Sequence, residues 1–123
     1  MKVIGHRFVH VAPAEDAGGF NGMLQKLGLA PMDLRETLGD AVDAFEGESY
    51  TAGSDASMIQ VWAAGEQMPA GTMLQIIVDD AEAYAENARA NGLEPQGPFD
   101  MHGERVFMLT APGGMPVSFQ SAL

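Results

Sequence analysis

The sequence predicts an α+β fold in which one module, a strand followed by a helix and a group of strands, occurs twice. The segment GLAP, residues 28–31, returns as GLEP in residues 92–95. Each copy follows a run of strand character and then a run of helical periodicity. Chance supplies a four-residue echo more easily than an echo at the same place in two similar element orders. We therefore interpret the chain as a duplication.

Composition is typical of a soluble globular protein. The chain has 123 residues, which suit a single domain over residues 1–123, and 46% of them are hydrophobic. No apolar run is long enough to cross a bilayer, and the first residues lack a secretory signal, so we expect a cytoplasmic protein. The absence of cysteine excludes disulfides and thiolate chemistry. A net charge of −11 with six Lys and Arg argues against nucleic acid and membrane surfaces as partners.

The first module is predicted over residues 3–64. It opens with His6–Ala12, which is rich in β-branched and aromatic residues and ends at Pro13, as expected of a strand. Apolar residues then recur at helical spacing, and Gly28 stands where a C-cap glycine belongs. A helix is therefore expected between this strand and the GLAP segment.

The middle of the chain gives weaker signals. Residues 32–51 are ambiguous, because LRETLGD favours a helical turn whereas Ala41–Tyr50 suits one or two strands. Ser57–Ala63 is a clearer strand. Residues 65–71 contain Gly and Pro and are the predicted linker between the modules.

The second module, predicted over residues 72–121, is more regular. Thr72–Val78 has strand character, and Asp79 followed by Glu82 resembles a capping box at the start of a helix over Ala81–Asn91. Three further strands are predicted: a short one near Phe99–Met101, then Arg105–Thr110 and Met115–Gln120.

Alternation along the predicted strands separates two sets of side chains. The first set is wholly apolar and suits packing against the helices: Val9, Val11, Ile59, Val61, Leu74, Ile76, Val78, Val117 and Phe119. The second set mixes large apolar groups with hydrogen-bonding groups, and it supplies the candidate ligand-binding residues: His6, Phe8, His10, Met58, Gln60, Trp62, Met73, Gln75, Ser118 and Gln120.

The mixed set predicts a cavity for a small molecule. Apolar walls with a few polar groups are the usual lining of a ligand pocket. We expect Phe8, Met58, Trp62 and Met73 to form the walls and the other six candidates to offer polar contacts. A half-exposed sheet or a dimer interface is the alternative interpretation of the same pattern.

Two long segments carry a resemblance to a known family. LQIIVDDAEAYAENARANGLEP and ERVFMLTAPGGMPVSFQS in the second half, with HRFVHVAP, LGLAP and SMIQVW in the first, resemble the vicinal oxygen chelate superfamily. That group includes glyoxalase I, bleomycin-resistance proteins and extradiol dioxygenases. The resemblance implies two βαβββ modules that form curved mixed sheets around a cavity, with the helices outside. It also implies a homodimer.

The resemblance also locates the four metal-ligand positions of metal-dependent members. They fall on His6, Gln60, Met73 and Ser118 in this chain. Of these side chains, His6 alone is a strong ligand, because transition metals favour imidazole and carboxylate over an amide, a thioether or a neutral hydroxyl. We therefore expect no metal or other cofactor.

The expected function is metal-independent binding of a small apolar or aromatic organic molecule by a homodimer. A metal-dependent lyase or dioxygenase is an alternative, as is a cofactor-free isomerase with His6 or His10 as its base. A structural dimer without a ligand is a third possibility. The sequence leaves open whether the protein is an enzyme.

Overall fold

The computed structural model describes residues 1–66 and 68–123, and within them it contains both helices and a mixed β-sheet. The α+β prediction is confirmed. The elements are β1 (Val3–Ala12), α1 (Ala14–Lys26), α2 (Leu34–Leu38), a 3-10 helix (Gly39–Ala44), β2 (Gly47–Thr51), β3 (Met58–Ala63), β4 (Gly71–Val78), α3 (Ala81–Ala90), β5 (Gln96–Met101), β6 (Glu104–Thr110) and β7 (Pro116–Ala122).

Two compact units divide the chain. The N-terminal unit comprises residues 8–72, and its strands are hydrogen-bonded in the order β2-β3-β1. The C-terminal unit comprises residues 1–7 and 73–123, and its order is β1-β4-β7-β6-β5. β1 therefore contributes its first half to the C-terminal unit and its second half to the N-terminal unit. In the C-terminal unit β4 and β7 are parallel, whereas β5, β6 and β7 are antiparallel neighbours.

The second module follows the expected strand-helix-strand-strand-strand order, and its core lies between the sheet and α3. Val78, Ala81, Ala85, Phe107 and Phe119 form this buried cluster. The rings of Phe107 and Phe119 stack with centroids 5.4 Å apart. Burial of side chains of this size stabilises the fold by about 1.5–3 kcal/mol each. The small residues of α3 allow the helix to approach the sheet closely.

The first module departs from that order. Between α1 and β2, Pro31 makes only an isolated bridge to Tyr50, and the chain then forms α2 and the 3-10 helix. The Asp33 side chain caps α2 by accepting a hydrogen bond from the N–H of Arg35 at 3.0 Å. LRETLGD is therefore helical, and of the predicted segment Ala41–Tyr50 only the last residues belong to a strand.

The two long helices, α1 and α3, end in the same way. Gly28 and Gly92 follow their last turns with φ of 104° and 85°, a conformation that favours glycine. In each case the N–H of the next residue donates to a carbonyl five residues earlier, at 3.1 Å for Leu29 and 3.0 Å for Leu93. These matched caps account for the Gly-Leu pair that the two GLxP segments share.

The start of α3 differs by one residue from the predicted capping box. Asp80, not Asp79, is the N-cap, and its Oδ1 accepts from the N–H of Ala83 at 3.2 Å. Asp79 instead accepts a hydrogen bond from the backbone N–H of Lys2 at 2.9 Å, and this bond lowers the pKa of its carboxyl group. Asp79 is therefore bonded to the N-terminal segment, and Asp80 caps the helix.

Candidate functional site

The sheet of the C-terminal unit packs one face against α3. Its opposite face, which points away from α3, is called the distal face. Phe107 and Phe119 point toward α3, so alternation assigns their strand neighbours to the distal face. The strand register places Gln75 and Met108 beside Ser118, and Ile77 and Val106 beside Gln120. The distal face is defined here by the side chains of Met73, Gln75, Ile77, Phe99, Met101, Glu104, Val106, Met108, Ser118 and Gln120.

A charged residue that the sequence analysis did not select lies at the centre of the distal face. Arg7 of β1 donates from Nη1 to Glu104 Oε1 at 2.9 Å and from Nη2 to Oε2 at 3.1 Å. Its Nη1 also donates to Gln75 Oε1 at 3.4 Å. The side chains of Arg7 and Glu104 are only 23% and 18% exposed. Arg7 and Glu104 therefore form a largely buried, bidentate ion pair.

Buried polar side chains extend this ion pair. Gln120 Nε2 donates to Glu104 Oε1 at 3.0 Å, and Ser118 Oγ donates to Gln120 Oε1 at 2.7 Å. Ser118 and Gln120 are both buried, so these bonds satisfy groups that would otherwise be costly to remove from water. Gln75 Nε2 contacts the Met73 sulfur at 3.7 Å. Four predicted site residues are therefore linked to one cluster in the C-terminal unit.

Glu104 remains ionised because of its partners. Burial raises the pKa of its carboxyl group, but hydrogen bonds from Arg7 and Gln120 outweigh that effect, and the pKa lies below its ordinary value. The cluster thus holds one positive and one negative charge at neutral pH. Its net charge is close to zero.

The face assignment for β1 is wrong by one residue. Arg7 lies on the distal face with Gln75, so alternation directs its neighbour His6 to the opposite side, and His6 is exposed. Within the N-terminal unit the His10 ring lies 5.3 Å from the ring of Phe20 on α1. His10 Nδ1 also shares a hydrogen bond with Thr72 Oγ1 at 2.8 Å. In the N-terminal unit His10 therefore faces α1, whereas the prediction gave that side of β1 to Val9 and Val11.

The alternation predicted for β3 agrees with the structure of the N-terminal unit. Tyr50 pairs with Ile59 in the sheet, and its hydroxyl donates to Asn21 Oδ1 on α1 at 2.8 Å, so Ile59 and Val61 face that helix. On the other side Trp62 Nε1 donates to Gln60 Oε1 at 3.3 Å.

Three predicted site residues meet on that side of β3. Gln60 Nε2 lies 3.7 Å from the Met58 sulfur, which connects Met58, Gln60 and Trp62 in one group. The ring of Phe45 meets Trp62 edge-on at 6.3 Å. Phe8, the remaining candidate in this unit, is 39% exposed. Ligand binding by any of the ten candidates stays a prediction.

Two cavities in the N-terminal unit lie away from all ten candidates. The first has a volume of about 390 Å³ and the second about 430 Å³. The first is lined by small residues of α1 and by β2, including Gly18, Gly22, Glu46 and Glu48. The second adjoins it at Ala14 and Glu46. Fold resemblance directed attention to the strand faces, and nothing in the sequence marks these depressions beyond the glycines of α1.

The residues on the distal face do not fit a transition metal. Two of the transferred ligand positions lie there, but the Met73 sulfur contacts Gln75 and the Ser118 hydroxyl donates to Gln120. The carboxylate beside them, Glu104, already pairs with a guanidinium whose charge would repel a metal cation. Among the described residues no group of three or more His, Asp and Glu gathers to hold a metal ion. The expectation of a metal-free protein stays a prediction.

Comparison with known proteins identifies the fold. No family model and no curated protein matches the chain. A solved structure described as NAD-dependent benzaldehyde dehydrogenase from Legionella pneumophila is similar, with a TM-score of 0.63, 12% identity, and coverage of 96% of this chain and 99% of that one. Methylmalonyl-CoA epimerase from Mycobacterium tuberculosis has a TM-score of 0.62 and 13% identity, with 98% and 87% covered. A glyoxalase/bleomycin resistance protein/dioxygenase superfamily member from Vibrio splendidus 12B01 has a TM-score of 0.59 and 12% identity, with 98% and 99% covered.

These likenesses, at identities this low, establish architecture. The chain has the fold of the vicinal oxygen chelate superfamily, as the sequence resemblance implied. Within the described residues, no helix is long and apolar enough to span a membrane.

Proposed function

We propose that the protein is a homodimer that binds a small, largely apolar or aromatic organic molecule without a metal ion. The composition of the distal face of the C-terminal unit carries this proposal. Its centre is a hydrogen-bonded polar cluster, and large apolar side chains at its margin are exposed: Phe99 by 43%, Met101 by 39% and Met108 by 36%. A few fixed polar groups within an apolar surround are what orientation and affinity for a small organic ligand require.

A solvated sheet face or a dimer interface would need a different composition from that of the distal face. A merely solvated sheet gains nothing from exposing Phe99, Met101 and Met108 together. An interface between two copies of the chain would cover the apolar margin but would not need the polar network at the centre. An isomerase with His10 as its base receives no support, because His10 packs on Phe20 and is bonded to Thr72.

Ligand titration tests the proposal. A panel of small aromatic compounds is added to 15N-labelled protein, and the backbone amide shifts of β4, β6 and β7 are followed by NMR. We expect saturable shifts in these strands and at least tenfold weaker binding by Met108→Asp, because a charge at the apolar margin must be desolvated on binding. Met23→Asp is the matched control, since Met23 is equally apolar and 50% exposed but lies on α1.

A second variant separates the distal face from the α1 cavity. Gly22 lines that cavity, and a Cβ added there would meet no atom outside the helix backbone within 4 Å, so Gly22→Leu should reduce the space in the cavity. If Gly22→Leu lost ligand binding while Met108→Asp bound the ligand as tightly as the wild type, the ligand would lie in the α1 cavity and the proposal would be refuted.

Elemental analysis of protein purified without a histidine tag tests for a bound metal. A transition metal at stoichiometric level would refute the metal-free part of the proposal. Sedimentation checks the dimer, which a monomer at micromolar concentration would refute.

A further inference from the structure

We infer that Arg7 orients the ligand by binding a carboxylate, so that the preferred ligand class is small organic acids with an apolar body. This inference rests on the proposed function and specifies its ligand. It starts from one unfulfilled group: Arg7 Nε is buried and has no hydrogen-bond partner in the part of the chain that the structure describes. A buried N–H without an acceptor is destabilising, and a bound acceptor removes that cost.

The unused donors of Arg7 lie side by side. A guanidinium has five N–H groups, and three of them are used by Glu104 and Gln75. Glu104 bonds the end of the group through both terminal nitrogens, and Gln75 bonds Nη1. The Nε hydrogen and the second Nη2 hydrogen remain, and together they form the other edge of the planar group. A carboxylate matches such a pair of parallel donors in the bidentate arrangement that arginine favours.

The surrounding residues hold this edge in place. Glu104 is itself fixed by Gln120, which is fixed by Ser118, so the guanidinium plane is set by a chain of short bonds. A donor positioned in advance loses less side-chain entropy when the ligand binds. The apolar margin of the distal face then suits the body of the ligand. Donors at the centre and apolar groups around them favour an organic acid over an amine or a free metal ion.

The NMR signal of the Arg7 Nε–H group shows directly whether a ligand contacts this group. The chain has four arginines, so its 15N spectrum contains four Nε–H signals, and Arg7→Lys assigns the signal of interest. Phenylacetate and 2-phenylethanol share an apolar ring but differ in the carboxylate, and acetate supplies the carboxylate alone. We expect phenylacetate to shift the Arg7 Nε–H signal and to bind at least tenfold more tightly than either of the other two.

Matched variants complete the test. Arg7→Lys keeps the charge but removes the paired N–H donors of the guanidinium. We expect it to weaken phenylacetate binding at least tenfold more than it weakens 2-phenylethanol binding. Arg105→Lys is the control, because Arg105 also pairs with a carboxylate, Asp100, but on the exposed surface. The same weakening by Arg105→Lys would overturn the assignment to Arg7.

The outcomes separate this inference from the proposed function. Equal binding of phenylacetate and 2-phenylethanol, with a silent Arg7 signal, would overturn the inference and leave apolar ligand binding in place. Acetate binding as tightly as phenylacetate, with the Arg7 shift, would support the carboxylate contact and count against an apolar ligand body. Binding of none of the three would overturn both. The NMR readout uses the unmodified protein, and assigning the Arg7 Nε–H signal through its backbone resonances keeps the test available even if Arg7→Lys fails to fold.

Discussion

Glu104→Gln tests the ion pair at the centre of the distal face. The substitution keeps the size of the side chain but replaces one carboxylate oxygen by an NH₂ group that faces the donors of Arg7. The guanidinium, 23% exposed, is left with a charge that neither water nor a counter-ion fully compensates. Removing one partner of a fully buried pair costs about 3–5 kcal/mol, and exposed pairs contribute about 0–1 kcal/mol. The exposures of 23% and 18% place this pair nearer the buried limit, so we expect a loss of about 2–3 kcal/mol.

Urea unfolding at pH 7, followed by Trp62 fluorescence and circular dichroism, measures that loss. With an m-value of about 1–3 kcal/mol/M, the midpoint should fall by about 0.7–3 M at unchanged slope. The double variant Arg7→Met with Glu104→Leu should recover much of the loss, because it removes both charges. Asp100→Asn is the control, since Asp100 pairs with Arg105 on the exposed surface, and its midpoint should stay close to that of the wild type. A loss below about 0.5 kcal/mol for Glu104→Gln would refute the reasoning, because it would mean that the pair is effectively solvated.

Three further predictions concern stability. The pKa of Glu104 is lowered in the folded protein, so the stability that its ionised form contributes is complete above the ordinary pKa of 4.5 and is lost as the pH falls through the folded pKa. The difference in unfolding free energy between wild type and Glu104→Gln should therefore narrow in acid. A difference that stays constant with pH would contradict this. Tyr50→Phe should cost about 1–2 kcal/mol in urea, because it deletes the buried bond to Asn21, and a neutral result would show that the bond contributes nothing. Gly47→Ala should destabilise the fold, because the added Cβ would meet the facing backbone of β3. Gly19 lies within α1, where an added Cβ would meet no other group, so Gly19→Ala should raise stability by about 0.5–1 kcal/mol. The reverse order of stability would refute this account of the packing.

The elements with strong local signals were predicted well. β4, α3, β6 and β7 each lie within about two residues of their predicted limits, because alternation, helical periodicity and turn residues all act within a few positions. Gly28 and Gly92 were placed correctly for the same reason, since left-handed caps favour glycine regardless of the rest of the fold.

The site was harder to predict because its contacts are distant in sequence. Arg7 and Glu104 are separated by 97 positions, and no local pattern shows that two isolated charges will meet. A signal was present, however: Arg7 is the one charged residue within the apolar and aromatic run His6–Ala12. The apolar set predicted for β1 contained Val9 and Val11, and valine suits either side of a sheet. Counting Arg7 and Gly5 with them would have shown that the odd-numbered set is not wholly apolar.

The sheltered guanidinium has a consequence for the effect of salt. Glu104 neutralises Arg7 at contact distance, so an approaching organic anion experiences chiefly the field of a chain with a net charge of −11. Salt screens that long-range repulsion over about 8 Å at physiological ionic strength. It screens the final contact between the carboxylate and the buried N–H donors of Arg7 far less. Added salt should therefore speed the arrival of a carboxylate ligand, the opposite of the usual behaviour of an arginine-based anion receptor.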